Sequence, residues 1–293
     1  MTFMFRAISR RVMTVRRLLL GCTADNAVLL TAPESTRDVA QVLASWPIAA
    51  SPAGANAALC AMLQELQLAS VAPAGTRSLR VTLDDSLVRS FVVTPPLGAQ
   101  GLRELRATVA ARFAALYGDS AEHWLLVADW QAVSPFIACA LPRQLGQALE
   151  QLAKRHSWRL DSLLPAFVRV SNHLAASVPA DGWLLVGFAQ TLTLLGIRAA
   201  QVSSTRTLSL AAAVDIAELE TLLTQERLRQ PDLRSGAQAQ SLLWVGVGDW
   251  LPTASSVAGL ESRTISLLAL PGQELPGVGR SPAGQLALAG SWP

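Results

Sequence analysis

The stretch from Trp183 to Leu210, WLLVGFAQTLTLLGIRAAQVSSTRTLSL, constrains the fold of this chain more than any other segment. Its apolar and β-branched residues are typical of strands, and two short turns interrupt them. The part from Trp183 to Ile197 is uncharged but too short to span a bilayer as a helix. The stretch therefore predicts three consecutive strands joined by tight turns, and the first turn contains no carboxylate.

Hairpins and helices alternate along the rest of the chain, which predicts an α/β fold. Leu18 to Thr31 reads as a hairpin that turns at TADN, and Leu79 to Val93 as a second that turns at Asp84-Asp85-Ser86. Adjacent aspartates suit turn chemistry better than paired acid–base catalysis. Helices are predicted in GANAALCAMLQELQLA, GLRELRATVAARFAALYG, PRQLGQALEQLAKRHSW, LDSLLPAFVRVSNHLA (interrupted near Pro165), DIAELETLLTQERLRQ and SPAGQLALAGSW, and further strands in HWLLVADW, PFIACAL, SLLWVGVG and RTISLLAL.

The segment SVPADG, Ser177 to Gly182, is the best place for a boundary between two lobes. A hairpin followed by a helix occurs on both sides of it, as if one α/β unit had been used twice. We therefore predict a first lobe over residues 1–178 and a second lobe over residues 179–293, with the closing helix packing back toward the first lobe.

The N-terminus is rich in arginine, but its pattern argues against an export signal. Only Leu18 to Leu20 lie between the last arginine pair and Cys22, which is too short for the apolar part of a secretory signal. Residues up to about Met13 are expected to be disordered or a mis-assigned start.

Composition excludes several classes of function. The chain is 51% hydrophobic and 15% charged, which argues against disorder. Its net charge is +3 and its basic residues are scattered, which argues against a nucleic-acid partner. Lys154 is the only lysine, so a lysine-dependent phosphate loop or Schiff base would have to use it. The three cysteines are isolated in apolar surroundings, which predicts buried thiols. The cysteines and the histidines show no spacing typical of metal ligands, so no metal site is predicted.

The order of these weak motifs resembles the actin-like (ribonuclease H-like) superfold. Within it, the chain is similar to the type IV pilus assembly proteins (PilM) and to the cytoplasmic part of the type II secretion L protein. Thr193 and Arg206 match a threonine and an arginine of the meander that opens the second lobe, and Gly246 and Gly248 match the paired glycines beneath the adenine. VTLDDSLVRSFVVTPP looks like the first-lobe hairpin, and QLALAGSW like the closing helix. The resemblance implies two α/β lobes, each a mixed sheet flanked by helices.

The resemblance also implies a nucleotide site between the lobes, and the sequence departs from it. Such sites bring backbone N–H groups of glycine-rich hairpin turns to the phosphates, and an aspartate at each hairpin orders a magnesium ion. Here Gly187 and Ala189 stand in the positions of the second-lobe aspartate and turn glycine, and Asp25 lies too far along the first hairpin. We expect a decayed site without metal or catalytic residues.

Four residues are predicted to remain from that nucleotide site: Thr191, Thr193, Gly246 and Gly248. The threonines could hold a phosphate, although β-branched residues are also ordinary in strands. The glycines could admit an adenine, or they could form a tight turn after a buried strand. The sequence leaves both alternatives open.

The resemblance implies a non-catalytic cytoplasmic scaffold, peripheral to the inner membrane, that needs no cofactor. Its first lobe would bind a short peptide of a bitopic inner-membrane protein of a pilus or secretion machine, and a homo-oligomer is compatible with this role. One alternative is an ATP-binding switch or weak ATPase that uses magnesium and a carboxylate such as Asp249. Another is a sugar-kinase-like enzyme, but the acids near the lobe junction, Asp161 and Asp181, fit loop or cap positions.

Overall fold

The computed structural model describes residues 16–33, 40–68, 70–99, 101–188, 190–210, 215–229, 240–246, 254–266 and 281–292. The strands in these ranges are β1 (Arg16–Cys22), β2 (Asn26–Thr31), β3 (Val42–Pro47), β4 (Thr76–Leu83), β5 (Arg89–Val93), β6 (Trp124–Ala128), β7 (Phe136–Pro142), β8 (Arg159–Pro165), β9 (Gly182–Phe188), β10 (Thr191–Arg198), β11 (Gln201–Ser209), β12 (Ser241–Gly246), β13 (Ser256–Val257) and β14 (Leu260–Ser266). The helices there are α1 (Ala55–Glu65), α2 (Leu102–Tyr117), α3 (Arg143–Arg155), α4 (Ala166–His173), α5 (Ile216–Arg229) and α6 (Pro282–Ala289).

Within the described ranges the strands form three sheets, ordered β3-β2-β1-β4-β8, β11-β10-β9-β12-β14-β13 and β5-β7-β6. The first two are built on one plan. A central strand, β1 or β9, pairs antiparallel with the next strand along the chain and parallel with β4 or β12. The predicted α/β class with mixed sheets is confirmed, and so is the three-strand meander from β9 to β11.

The first sheet is covered on both faces, so its central strand is buried. Every residue of β1 from Leu18 to Cys22 is buried. Leu18 and Leu20 pack with leucines of α1 and α3. Leu19 packs on the opposite side against alanines of α6. This alternation is the two-residue period of a strand between two layers.

The second sheet is covered in the same way. β9 is buried over its whole length. Trp183 and Leu185 pack with leucines of α5 on one face, and Leu184 and Val186 pack with Phe167 of α4 on the other. Because α4 precedes β9 along the chain, a helix of the first half completes the core of the second half.

The predicted hairpin from Leu79 to Val93 is wrong. β4 pairs with β1 and β8, whereas β5 pairs with β7 in the third sheet. Asp84 caps a 3-10 turn (Asp85–Leu87) by accepting the backbone N–H of Ser86 at 2.9 Å. Two-residue hairpin turns need positive φ, and no residue of this turn has it. The turn therefore directs the chain out of the first sheet and into the third, which α2 covers.

The sequence LDSLLPAFVRVSNHLA was predicted to be helical, but residues 159–165 form strand β8. Proline has no N–H for a strand ladder but suits the start of a helix, so β8 ends at Pro165 and α4 begins at Ala166. Asp161 lies at a bulge of β8, between Leu160 and Ser162. Its predicted loop or cap position is therefore wrong.

The predicted boundary segment follows α4 and ends at Gly182, the first residue of β9. The division of the chain at residue 178 stays a prediction, and the residues up to Met13 lie outside the described ranges. None of the helices in the described part of the chain has the length and apolar character needed to cross a bilayer.

A methyl group at Gly21 should displace α6 from the first sheet. A Cβ there would overlap the backbone oxygen of Ala283 and the backbone nitrogen of Ala287. Because backbone atoms cannot rotate away, we expect Gly21→Ala to lower the free energy of unfolding by about 2–3 kcal/mol. Urea denaturation measures this change. Gly101→Ala is the control, since no atom lies near a Cβ at that position. Equal losses in the two variants would contradict the packing of α6.

Candidate functional site

Two aspartates at the end of β4 meet two threonines of β10 where the first and second halves of the chain join. The hydroxyl of Thr191 donates to Oδ1 of Asp84, and the hydroxyl of Thr193 donates to Oδ2 of Asp85, each at 2.7 Å. All four side chains are buried. We call these four residues the junction cluster.

Local structure explains why the four side chains converge. Thr191 and Thr193 are two residues apart in a strand, so they lie on the same face of β10. The 3-10 turn after β4 presents both carboxylates to that face. Asp85 also accepts the backbone N–H of Phe167 at 3.1 Å, near the start of α4. The cluster therefore connects β4, α4 and β10.

Burial raises the pKa of both carboxyl groups. Two effects raise the pKa of Asp85 to about 7: the loss of hydration, which is the larger, and the charge of Asp84. The hydrogen bonds from Thr193 and Phe167 lower the pKa and oppose this shift only in part. Burial also raises the pKa of Asp84, and hydrogen bonds from Ser86 and Thr191 oppose the shift. The junction cluster thus gains or loses a proton near neutral pH.

Thr191 and Thr193, which the sequence analysis assigned to a remnant nucleotide site, direct their hydroxyls at carboxylates. A phosphate in contact with these hydroxyls would approach Asp84 and Asp85, and like charges at such distances repel. The assignment of the two threonines to a nucleotide site stays a prediction.

Of the two glycines predicted to remain from the nucleotide site, only Gly246 lies among the described residues. Gly246 ends β12 and pairs in register with Gly187 of β9, on the neighbouring strand. Gly248, Ala189 and Asp249 lie outside the described residues. The structure thus brings Gly187 and Gly246 side by side near the carboxyl ends of two central strands of the second sheet.

Sequence reasoning missed Asp84 and Asp85 as junction residues and assigned them to a hairpin turn. One signal could have identified them. The two carboxylates directly follow β4, whose residues Val81 and Leu83 are buried, and they precede the buried Leu87. Carboxylates in apolar surroundings need hydrogen-bond donors, and hydroxyls on another strand can supply them.

The other residues singled out from the sequence have ordinary structural partners. Asp181 accepts the backbone N–H of Ala199 at 3.0 Å, as its predicted loop or cap position implies. Arg206 pairs with Glu226 of α5. Asp25 accepts the hydroxyl of Thr23 at 2.7 Å within the turn between β1 and β2. Among the residues that the structure describes, no group of three or more His, Cys, Asp or Glu side chains could hold a metal ion.

A cavity of about 490 Å³ lies between β8, α4 and the third sheet. Its wall is mainly apolar and includes Leu125, Val127, Ile137 and Leu163. All the residues from Asp161 to Pro165 line it. Because neighbours in a strand point to opposite faces, a cavity can contact all of them only along the edge of β8. In the described part of the chain, β8 is an outer strand of the first sheet and β6 an outer strand of the third.

Comparison with solved structures shows which known proteins share this fold. The cytoplasmic domain of EpsL, an inner-membrane component of the type II secretion system of Vibrio cholerae, matches with a TM-score of 0.51 at 16% identity, over 94% of this chain and 94% of that one. A chain of the PilM–PilN type IV pilus biogenesis complex matches with a TM-score of 0.54 at 16% identity, over 96% and 100% of the chains. A Bacteroides thetaiotaomicron protein with an actin-like ATPase fold and unknown function matches with a TM-score of 0.50 at 7% identity, over 80% and 82%.

No protein-family model matches the sequence, and no curated protein matches it. The chain has the actin-like fold, and the predicted resemblance to PilM and to EpsL is confirmed at the level of the fold. At these identities the likeness concerns the fold alone.

The junction cluster should make stability depend on pH. The pKa of Asp85 is about 7 in the folded protein and near its ordinary value of 3.8 when unfolded. Between these values the folded state keeps a proton that the unfolded state has lost, so this group's contribution to stability falls as the pH rises. Asp85→Asn removes the titration and keeps an acceptor oxygen. The free energy of unfolding of Asp85→Asn minus that of the wild type should therefore increase as the pH rises from about 4 to about 7.

Urea denaturation across this pH interval measures the difference. Glu65→Gln is the control, because Glu65 is exposed at the end of α1. A difference between Asp85→Asn and wild type that stays constant with pH would contradict the raised pKa.

Proposed function

We propose that this chain is a non-catalytic scaffold on the cytoplasmic side of an inner-membrane assembly platform of the type IV pilus or type II secretion kind. In this proposal it binds a peptide of a membrane partner in the cavity beside β8. The fold that the chain shares with the cytoplasmic domain of EpsL and with a chain of the PilM–PilN complex supports the class of machinery. The outer edge of β8 along an apolar cavity is the observation that carries the peptide-binding part.

An extended peptide fits this edge by strand addition. No strand in the described part of the chain pairs with the outer backbone groups of β8, and such edges recruit further strands. Alternate side chains of the peptide would enter the cavity and contact Val127, Ile137 and Leu163. Main-chain hydrogen bonds would supply affinity, and the shape of the cavity would supply specificity.

The proposed partner is a bitopic inner-membrane protein with a short cytoplasmic segment. Binding of that segment would hold the scaffold at the membrane surface, so the chain would be peripheral to the membrane and would contact it only through the partner. The solved relatives support this placement: one is the cytoplasmic domain of an inner-membrane component, and the other is part of an assembly complex.

The junction cluster supports the non-catalytic part of the proposal. The hydroxyls of Thr191 and Thr193 donate to Asp84 and Asp85 across the two halves. A nucleotide phosphate would have to break these buried hydrogen bonds and would remove one donor from each carboxylate. A hydrogen bond to a charged group contributes about 1.5–3 kcal/mol. In this proposal the groups that could contact a phosphate hold the two halves together instead.

Photo-crosslinking from the cavity rim tests the peptide site. Benzoylphenylalanine at Val127, which lines the cavity and is 45% exposed, should crosslink in the source cells to the cytoplasmic segment of a protein with one membrane-spanning helix. Mass spectrometry of the crosslinked peptide identifies the segment. Leu228 on α5, 63% exposed, is the matched control position, because it does not line this cavity. Crosslinks of equal yield from both positions would contradict the proposal.

ATP should not stabilise the protein. A ligand that binds only the folded state, at a hundred times its dissociation constant, adds about 2.7 kcal/mol to the free energy of unfolding. We expect no thermal shift with ATP or ADP, with or without magnesium, because the junction hydroxyls are engaged by carboxylates. A magnesium-dependent shift would contradict the non-catalytic scaffold and favour a nucleotide switch.

A further inference from the structure

Arg169 of α4 is a buried cation that has no counter-ion in the described part of the chain. Its side chain is 1% exposed and lines the cavity beside β8. Nη2 donates to the backbone oxygen of Val81 at 3.1 Å and to the hydroxyl of Ser162 at 3.0 Å. Both acceptors are neutral, and none of the ion pairs among the described residues includes Arg169.

Part of this guanidinium group lacks a hydrogen-bond acceptor. The buried Nε has no hydrogen-bond partner, and both hydrogen bonds of Arg169 use Nη2. Burial, followed by the charge of Arg80, lowers the pKa of Arg169 to about 9. A buried charge of this kind is costly unless an anion neutralises it.

The acidic residues in the wall of the cavity do not neutralise Arg169. Asp161 pairs with Arg17 at 3.8 Å and with Arg159. Asp129 accepts a hydrogen bond from the side chain of Gln131 at 3.2 Å. The anion that Arg169 lacks would therefore have to come from whatever occupies the cavity.

Arg80 adds a second positive charge to the same wall. It lines the cavity, and its Nη1 donates to the backbone oxygens of Gly290 at 3.2 Å and Trp292 at 2.8 Å, just after α6. These acceptors are neutral carbonyls, so they do not cancel its charge. Asp161 partly offsets the charge of Arg80, and its effect on the pKa of Arg80 is smaller than that of burial or of Arg17.

We propose that the peptide bound in this cavity carries an acidic side chain whose carboxylate pairs with Arg169. The inference rests on the proposed function, since it assigns a chemistry to the occupant of the same cavity. A carboxylate would satisfy the unpartnered Nε and neutralise the buried charge, and the aliphatic neighbours of the acid would cover the apolar wall. Val81 and Ser162 already hold the guanidinium group in place, so little side-chain entropy is lost when the carboxylate binds.

Matched peptide sets test the carboxylate. Each peptide has about six residues, the usual length of a strand, and consists of valine, leucine and serine with a neutral polyethylene glycol tail. One set carries a single aspartate, moved through every position, and the other set carries asparagine at the same positions. Fluorescence anisotropy with the full chain measures the dissociation constants. We expect the best aspartate peptide to bind about ten- to a hundredfold more tightly than its asparagine partner, because hydrogen bonds to charged groups are the stronger class.

Two variants test whether Arg169 causes the preference for aspartate over asparagine. Arg169→Met should remove the difference between the two sets, whereas Arg112→Met, on the exposed face of α2, should preserve it. Circular dichroism verifies that both variants are folded. The comparison of the two peptide sets on the wild-type protein does not depend on the folding of either variant. Equal binding of the two sets by the wild-type protein would overturn the carboxylate inference and leave the peptide site standing. Binding of neither set would overturn both.

Discussion

The hydrogen bonds between the hydroxyls of Thr191 and Thr193 and the carboxylates of Asp84 and Asp85 are the interaction on which the rest of the structure depends. They join the end of a strand in the first sheet to a strand in the second. Asp85 also holds the start of α4 through the N–H of Phe167. Because α4 supplies part of the wall of the cavity beside β8, the same cluster that joins the halves also fixes the proposed binding site.

The two halves follow one plan, and their helices interlock. α4 comes from the first half and packs on the second sheet, whereas α6 comes last in the chain and packs on the first sheet. This arrangement covers both faces of β1 and β9. The third sheet, which stands between β4 and α3 along the chain, departs from the repeated plan. The cavity lies where this additional sheet meets the outer strand β8, so the site proposed for the partner combines a strand of the repeated plan with a sheet that stands outside it.

Periodicity predicted the elements of this fold better than their pairing. The apolar and β-branched residues of the stretch from Trp183 to Leu210, with two short turns between them, were enough to predict a meander, because its strands are neighbours in sequence. The hairpin expected from Leu79 to Val93 failed because β4 takes its partners from distant parts of the chain. The same limit applies to the sites. Thr191 and Thr193 could be singled out from the sequence, but their carboxylate partners are more than a hundred positions away. Arg169 lies in the apolar run AFVRVS, and only the packing of α4 shows that its charge is buried.

A double-mutant cycle across the junction tests the central claim most directly. It compares the free energies of unfolding of Asp85→Ala, Thr193→Val and the double variant with that of the wild type. At a pH above the pKa of Asp85, where this group is ionised, the account predicts a coupling energy of about 1.5–3 kcal/mol, the range for hydrogen bonds that involve a charged group. Additive effects of the two substitutions would show that Asp85 and Thr193 do not interact, and would contradict the claim that this cluster holds the two halves together.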